Sequence, residues 1–461
     1  MSVTPDTPTP AEPRDRAGAA TPQPDRTAAN EPLDRPAPAP AYPPRFPIAG
    51  AERAPRRPRG PLRHYGGFLL SPSAGAAMPL ILERNRTQRL RRLAATTGGR
   101  AGWRRRPARA RMRALTAAPG ARLRWRSVPA PPAPGPDGAL VRPLAIATCD
   151  IDCPLVLGAT QLALPLQLGH ECVGEVLSIG ERVATVAPGD RVVVPFQINC
   201  GACASCRAGH TGNCLSVPPL SAYGMGVVTG HFGGALADQL AVPFADAMLV
   251  PLPAGVDPVA AASVADNLCD AHRHIAPHVP RLLEQSADGE ILILAGLSSR
   301  PLFSPSTPLF AGLLARAFGA RNVTLADSRA HVRARAQRLG LHALTPRELR
   351  GHGQAPLVLH ISDDPLATAI AHTAPDGVCS STGSLHRHAR IPILKMYVHR
   401  VSLHIGIPHA RAIMPRVLEL IADGSLPAGE VVSMVAPLDD APEALREHVF
   451  GGGVKTVLTA Y

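Results

Sequence analysis

The chain of 461 residues contains no apolar run that reaches about 18 residues, so we expect no transmembrane helix. Its first 111 residues have no lysine and few large apolar side chains, although they contain 21 arginines and 8 acidic residues. This segment therefore holds the whole net charge of +13, because the remaining 350 residues have 27 basic and 27 acidic side chains. A segment so poor in apolar groups cannot offset its ordering entropy, which predicts disorder over residues 1–111.

The basic extension leaves three interpretations open. It is an arm without a role or an over-extended start, a contact for RNA or an anionic surface through WRRRPARARMR, or a transit peptide. Acidic residues such as Asp6, Glu12 and Asp15 argue against the transit peptide. MRALTAAPGARLRW, which begins at Met112, is typical of a first strand. We therefore favour the first interpretation and expect neither a nucleic-acid partner nor a membrane.

Four of the nine cysteines lie within fifteen residues, in CGACASCRAGHTGNC. These are Cys200, Cys203, Cys206 and Cys214, with the spacing C-x2-C-x2-C-x7-C. Four thiolates at this spacing suit a tetrahedral zinc ion, and a site that uses all four is closed and structural. The alternative is a pair of disulfides or four unrelated thiols. Because nothing in the sequence indicates secretion, we expect a reducing cytoplasm.

Hydrophobic patterning divides the rest of the chain into two kinds of structure. Short β-rich runs between Gly and Pro turns extend from Arg122 to about Pro251 and predict an irregular all-β body. From about Asn267, apolar strands such as EILILAGL alternate with helices such as LFAGLLARAFGA. This alternation predicts a doubly wound parallel sheet, so the fold class is α/β with a second, β-rich domain.

The segment LGHECVGEVLSIGERVATVAPGDRVVVPF resembles the zinc-containing medium-chain alcohol dehydrogenases. The match consists of the Gly-His-Glu triplet at 169–171, the Gly-Asp-Arg-Val turn at 189–192 and the cysteine lobe that follows them. The resemblance covers residues 112–461. It implies a GroES-like catalytic domain from 112–267 and 407–461, and a Rossmann dinucleotide-binding domain from 268–406.

The resemblance also implies a second, catalytic zinc site. Its ligands would be Cys149, which lies 21 residues before His170, then His170 itself and Asp266, from a hinge like that of the formaldehyde-dehydrogenase branch. Glu171 matches a glutamate that can swing in to coordinate the metal. Asp152 matches an aspartate that orients the ligand histidine. Two zinc ions per chain are therefore expected, one catalytic and one structural.

Two positions depart from the family pattern. Ile151 occupies the place of the hydroxyl that relays the proton in the family. The usual G-x-G-x-x-G is also absent: only Gly296 remains, and three prolines follow it, at 301, 305 and 308. Asp327 ends the second strand and is expected to bind the adenosine ribose, although it could instead cap the next helix. Arg329 could pair with a 2′-phosphate and soften the resulting preference for NAD over NADP.

The resemblance implies a zinc-dependent oxidoreductase that transfers a hydride between an alcohol and an aldehyde or ketone, with NAD as the cofactor. The substrate would be a small alcohol or carbonyl compound, and we expect a homo-oligomer, a dimer or a tetramer. A competing hypothesis is a zinc-bearing family member whose degenerate cofactor loop leaves it a binding or scaffold protein. The sequence does not specify which alcohol is used.

Overall fold

The structure is a computed structural model that describes residues 110–160, 162–226, 230–383 and 389–460. The prediction of disorder over 1–111 therefore lies, except for its last two residues, outside the described residues. Arg111 already pairs in the first strand, one residue before the expected start at Met112. None of the helices within the described ranges is long and apolar enough to cross a membrane.

The N-terminal part of the described chain is built from short strands and very short helices. Its strands are β1 (Arg111–Ala118), β2 (Arg122–Pro129), β3 (Ala139–Ala147), β4 (Leu166–Gln167), β5 (Glu171–Ile179), β6 (Arg191–Val194), β7 (Leu240–Val242) and β8 (Val250–Pro251). Its helices are α1 (Asp152–Leu157), α2 (Ala204–Arg207), α3 (Ala245–Met248) and α4 (Pro258–Ala261). The stretch MRALTAAPGARLRW forms a hairpin rather than one strand, because the chain turns at Gly120 with a φ of +77°.

The middle of the chain alternates strands with helices. Its strands are β9 (Ile291–Gly296), β10 (Val323–Asp327), β11 (His342–Leu344), β12 (Ala355–His360), β13 (Thr373–Ser381) and β14 (Ser402–Ile405). Its helices are α5 (Asn267–Ile275), α6 (Val279–Gln285), α7 (Ser306–Ala317), α8 (Ala330–Arg338), α9 (Pro346–Leu349), α10 (Leu366–His372) and α11 (Ile393–His399). The predicted apolar strand EILILAGL is β9, and the helix predicted after it is α7.

The six middle strands form one parallel sheet in the order β11-β10-β9-β12-β13-β14. Residues of β9 are buried on both faces: Ile291 and Ile293 lie in one apolar cluster, and Leu292 and Leu294 lie in another. Burial on both faces explains why this strand is an unbroken apolar run. The predicted α/β fold, with a doubly wound parallel sheet beside a β-rich domain, is confirmed.

The C-terminal segment pairs with the strands of the β-rich N-terminal part. It contains the helices α12 (Ala410–Ala422) and α13 (Ala441–Phe450) and the strands β15 (Met434–Pro437) and β16 (Thr456–Thr459). Strand β16 pairs antiparallel with β3, which also pairs with β5 and β7. This pairing brings the last residues of the chain to the loop that follows β3. That loop begins the candidate site.

Candidate functional site

Three predicted metal ligands lie close together in the structure. Cys149 lies just after β3, His170 lies just before β5, and Asp266 lies just before α5. Their donor atoms all lie within 4.8 Å of one another. The Oδ2 atom of Asp266 is 3.1 Å from the Cys149 Sγ and 3.4 Å from the His170 Nε2. The three side chains are buried, so they form an enclosed cluster of one sulfur, one nitrogen and one oxygen donor.

The environment of His170 fits a metal ligand. Neither ring nitrogen has a hydrogen-bond partner, although the side chain is fully buried. Gly169 precedes it with a φ of +92°, and a Cβ there would lie 2.4 Å from the Leu236 nitrogen, so only glycine permits this approach. A buried imidazole without a partner is costly. A cation held by an imidazole, a thiolate and a carboxylate, the donor types that zinc accepts, removes that cost.

The electrostatics of the cluster favour a cation beside the three ligands. Burial, followed by the nearby charges of Asp266 and Glu171, raises the pKa of the Cys149 thiol well above its usual value. Burial would lower the pKa of His170, but the carboxylates of Asp266 and Asp152 outweigh it and raise the pKa to about 9. Because both pKa values are raised, the Cys149 thiol and the His170 ring retain their protons beside the carboxylates. A divalent cation would replace those protons.

Glu171 and Asp152 occupy positions that differ from the roles expected of them. Glu171 lies outside the three-ligand cluster, because its Oε2 accepts a 2.7 Å bond from the Lys455 Nζ and its Oε1 accepts one from the Asn267 nitrogen. Asp152 accepts a 2.8 Å bond from the Cys149 nitrogen and makes no hydrogen bond to the His170 ring. Asp152 therefore fixes the backbone of the cysteine ligand rather than the ring of the histidine.

Lys455 and Asn267 complete the site, and neither was predicted from the sequence. The Lys455 Nζ is fully buried and donates to Glu171, to the Asn267 Oδ1 at 2.7 Å and to the Thr148 carbonyl. Burial opposes the charge of Lys455, but Glu171 and Asp150 outweigh it and raise the lysine pKa. The Asn267 Nδ2 donates to the Cys149 Sγ at 3.2 Å. The only available signal was composition, since Lys455 is one of two lysines in the chain.

The cysteine lobe brings its four thiols within 4.8 Å of one another. Backbone N–H groups point at the sulfurs: Cys203 donates to Cys200, Cys206 donates to Cys203, and Cys200 donates to Cys214. Burial opposes ionisation of the Cys203 thiol, but the N–H groups of Leu215 and Cys206 lower its pKa to about 6. All nine cysteines lie in the described part of the chain and none forms a disulfide. The geometry favours the metal interpretation over a disulfide pair.

Comparison with known proteins supports the same family. The model for the alcohol dehydrogenase GroES-like domain matches residues 135–254. A probable zinc-binding alcohol dehydrogenase of Mycobacterium tuberculosis is 29% identical over 331 residues, which is 68% of this chain and 79% of that protein. The solved alcohol dehydrogenase TADH from Thermus sp. ATN1 is 27% identical with a TM-score of 0.64, covering 76% of this chain and 99% of that one. These comparisons confirm the resemblance to the zinc-containing medium-chain alcohol dehydrogenases.

A second relative matches a shorter stretch of the chain. The glutathione-independent formaldehyde dehydrogenase of Pseudomonas aeruginosa is 42% identical over 119 residues, which is 25% of this chain and 30% of that protein. The higher identity over a shorter stretch shows that the likeness is concentrated in one region. It also agrees with the resemblance of the Asp266 hinge to the formaldehyde-dehydrogenase branch.

The nucleotide crevice of the parallel sheet differs from the usual arrangement of a dinucleotide site. In a doubly wound sheet the cofactor lies at the carboxyl ends of the strands, with its ribose on an acid after the second strand. Here both oxygens of Asp327 are bound by Arg329, through its backbone nitrogen at 2.7 Å, its Nε at 2.9 Å and its Nη2 at 2.6 Å. Gly296 faces Pro301 and Arg329, each close to where a Cβ would stand. The predicted cofactor residues thus bind one another, so Asp327 can accept a ribose only after it separates from Arg329.

A cavity of about 150 Å³ opens beside the metal cluster. It reaches from Cys149 and Asp266 to residues that follow the strands of the parallel sheet, such as Ile361 after β12 and Thr382 after β13. Ile151 lines the same cavity, so the hydroxyl of the family pattern is indeed replaced by an apolar surface there. The cavity has room for a small molecule next to the Cys149 sulfur.

Proposed function

We propose that the chain is a zinc-dependent oxidoreductase that interconverts a small alcohol and its aldehyde or ketone. The proposal is based on the buried cluster of Cys149, His170 and Asp266. This cluster borders a cavity that reaches the ends of strands in the parallel sheet. Zinc, when bound there, supplies a Lewis acid for an alcohol or carbonyl oxygen. A second zinc in the lobe of four cysteines would hold that segment together, giving two ions per chain.

The residues around the cluster have separate positioning roles in this proposal. Asp152 holds the loop of Cys149 through the backbone nitrogen, and Asn267 donates to the Cys149 sulfur, which favours the thiolate. Lys455 binds Glu171 outside the three ligands, so Glu171 would not compete with a substrate oxygen for a zinc ion held there. Since Ile151 has no hydroxyl, the proton would leave through another group. Thr307, Ser362 and Thr382 line the cavity and carry the hydroxyls available for this.

The proposal names NAD rather than NADP as the hydride partner because of the Asp327 carboxylate. That preference requires an Asp327 carboxylate that is not paired with Arg329. In this structure the two side chains form an ion pair. The second candidate function, a zinc-bearing member that does not transfer hydride, is favoured by this same pairing. The nine free cysteines support a reducing cytoplasm as the place of action.

An activity screen separates the two candidate functions. We expect the zinc-loaded full chain to oxidise at least one member of a panel of primary alcohols, secondary alcohols and polyols in the presence of NAD. Removal of zinc with a chelator should abolish the reaction, and zinc, but not magnesium, should restore it, since the donor set includes sulfur. Full zinc content without turnover of any panel member, with either NAD or NADP, would favour the second candidate.

We also propose that the chain forms a homodimer through the edge of the parallel sheet. Strand β14 is the last strand of that sheet, and the neighbouring helix α11 buries none of its residues. Leu394 and Tyr397 of α11 are 75% and 80% exposed, and Ile405 of β14 is 57% exposed. An exposed sheet edge beside apolar side chains is a typical surface for association of two copies.

The dimer can be tested by light scattering coupled to size exclusion. We expect a mass of about two chains for the unmodified protein. The double change Leu394→Glu and Tyr397→Glu should give a single chain, because it places two charges in the apolar surface. Phe450→Glu, at an apolar side chain that is 63% exposed at the end of α13, is the matched control and should leave the mass unchanged. A dimer that survives the double change would contradict the proposed surface.

A further inference from the structure

The N-terminus of α7 is bonded to a carboxylate of this chain. Helix α7 follows β9, the central strand, and the N-terminus of such a helix is where a dinucleotide places its pyrophosphate. Here the Ser306 nitrogen donates to the Asp150 Oδ1 at 3.0 Å, and the Thr307 nitrogen donates to the Asp150 Oδ2 at 2.9 Å. The Ser306 hydroxyl also donates to the Asp150 Oδ1. The Asp150 carboxylate therefore makes the contacts that a phosphate oxygen would make.

Two other amides of this loop are also bonded to carboxylates. The Leu297 nitrogen, directly after β9, donates to the Asp364 Oδ2 at 2.7 Å, and the Leu302 nitrogen donates to the Asp363 Oδ2. Both aspartates follow β12, the strand beside β9, so they lie at the crevice where the strand order reverses. Three carboxylates thus surround a position that would have to accept the two negative charges of a pyrophosphate.

The loop between β9 and α7 is also bonded to residues near the candidate zinc site. The Ser304 hydroxyl lies 3.2 Å from the Cys153 Sγ and 2.8 Å from the His448 Nε2. The Ser304 nitrogen donates to the Asp150 carbonyl. On the sheet side, Arg329 donates through its Nη1 to the Phe303 carbonyl at 2.8 Å while it holds Asp327. The loop is therefore bonded to both halves of the chain across the crevice.

We infer that Asp150 acts as an internal substitute for the cofactor phosphate, so a dinucleotide can bind fully only when Asp150 leaves α7. This inference rests on the proposed function, because it concerns access of the hydride partner to the same site. Asp150 is adjacent to Cys149, so release of α7 also frees the loop that carries a zinc ligand. The cofactor must therefore break three hydrogen bonds and displace a negative charge before its own pyrophosphate is bound.

Cofactor titration of the zinc-loaded full chain tests the inference. NADH binding is followed by nicotinamide fluorescence, and ADP-ribose, which has the pyrophosphate but no nicotinamide, is followed by calorimetry. Asp150→Asn keeps the shape and removes the charge, and we expect it to lower the Kd of both ligands by about tenfold or more. Asp257→Asn is the matched control: Asp257 caps α4 through the Val259 nitrogen, and its loss should leave both Kd values unchanged.

A second variant covers the case in which Asp150→Asn disturbs folding or the zinc site. Ser306→Ala removes one of the three bonds to Asp150, together with a 3.0 Å bond to the Asn267 Oδ1, without changing a residue of the Cys149 loop. It should lower both Kd values by a smaller factor. Equal Kd values in the unmodified chain and in both variants would overturn the inference. So would binding of NADH by the unmodified chain in the micromolar range. Alcohol turnover at saturating cofactor is scored separately: a variant that binds NADH tightly and never turns over would contradict the proposed function alone.

Discussion

Replacing His170 with alanine should lower the zinc content from about two ions per chain to about one and abolish alcohol turnover. The reason is that the fully buried ring is one of three ligands and has no hydrogen-bond partner of its own. The cysteine lobe is a separate group of four ligands, so its ion should remain and the fold should be retained. Elemental analysis, circular dichroism and a dehydrogenase assay on the same preparation provide the three measurements.

His342→Ala is the matched control for this experiment. His342 is exposed in β11, away from both ligand groups, so its replacement should change neither zinc content nor turnover. A value of one zinc in the unmodified chain that His170→Ala leaves unchanged would remove the catalytic metal from the proposal. Retained turnover in the variant would contradict the role of His170 even if the second ion were lost.

Lys455→Met should lower the free energy of unfolding by about 3–5 kcal/mol. The lysine and Glu171 form an ion pair at 2.7 Å in which both side chains are fully buried. Removing the ammonium leaves the Glu171 carboxylate without its counter-charge in a place that water does not reach, and such a group is costly. Unfolding by urea, with zinc present throughout, measures the loss.

Two further variants separate charge from packing in that experiment. Arg446→Met breaks an exposed ion pair with Glu443 and should cost no more than about 1 kcal/mol. Combining Lys455→Met with Glu171→Gln removes both charges, and we expect it to recover part of the stability lost in the single variant. If Lys455→Met lowers the free energy of unfolding no more than Arg446→Met does, the buried ion pair does not stabilise the fold.

The sequence predicted the residues of the ligand groups because each carries a local signal. The four lobe cysteines span fifteen residues, and the Gly-His-Glu triplet marks His170 directly. Asp266 could be proposed only from its resemblance to a family hinge, since it is distant in sequence from the other two ligands. The strand and helix periodicities predicted the sheet for a similar reason: apolar periodicity is a property of neighbouring residues.

The partners of these ligands could not be predicted, because they come from distant parts of the chain. Lys455 reaches Glu171 across 284 positions, and Ser306 reaches Asp150 across 156. The sequence did indicate that the phosphate loop was unusual, through its missing glycines and added prolines. It could not indicate that Asp150, a residue next to a zinc ligand, would bond the helix that follows.

The pairing of β16 with β3 has a consequence for the order of events during synthesis. Val457 lies opposite Ala147 in that pair, and Lys455 enters the site from the segment just before β16. The parallel sheet is encoded between these two positions and can form from a continuous stretch of nascent chain. Residues 145–147 of β3 lack their β16 partner until residues 457–459 leave the ribosome. The Glu171 carboxylate therefore gains its counter-charge from Lys455 only after the parallel sheet has been synthesised.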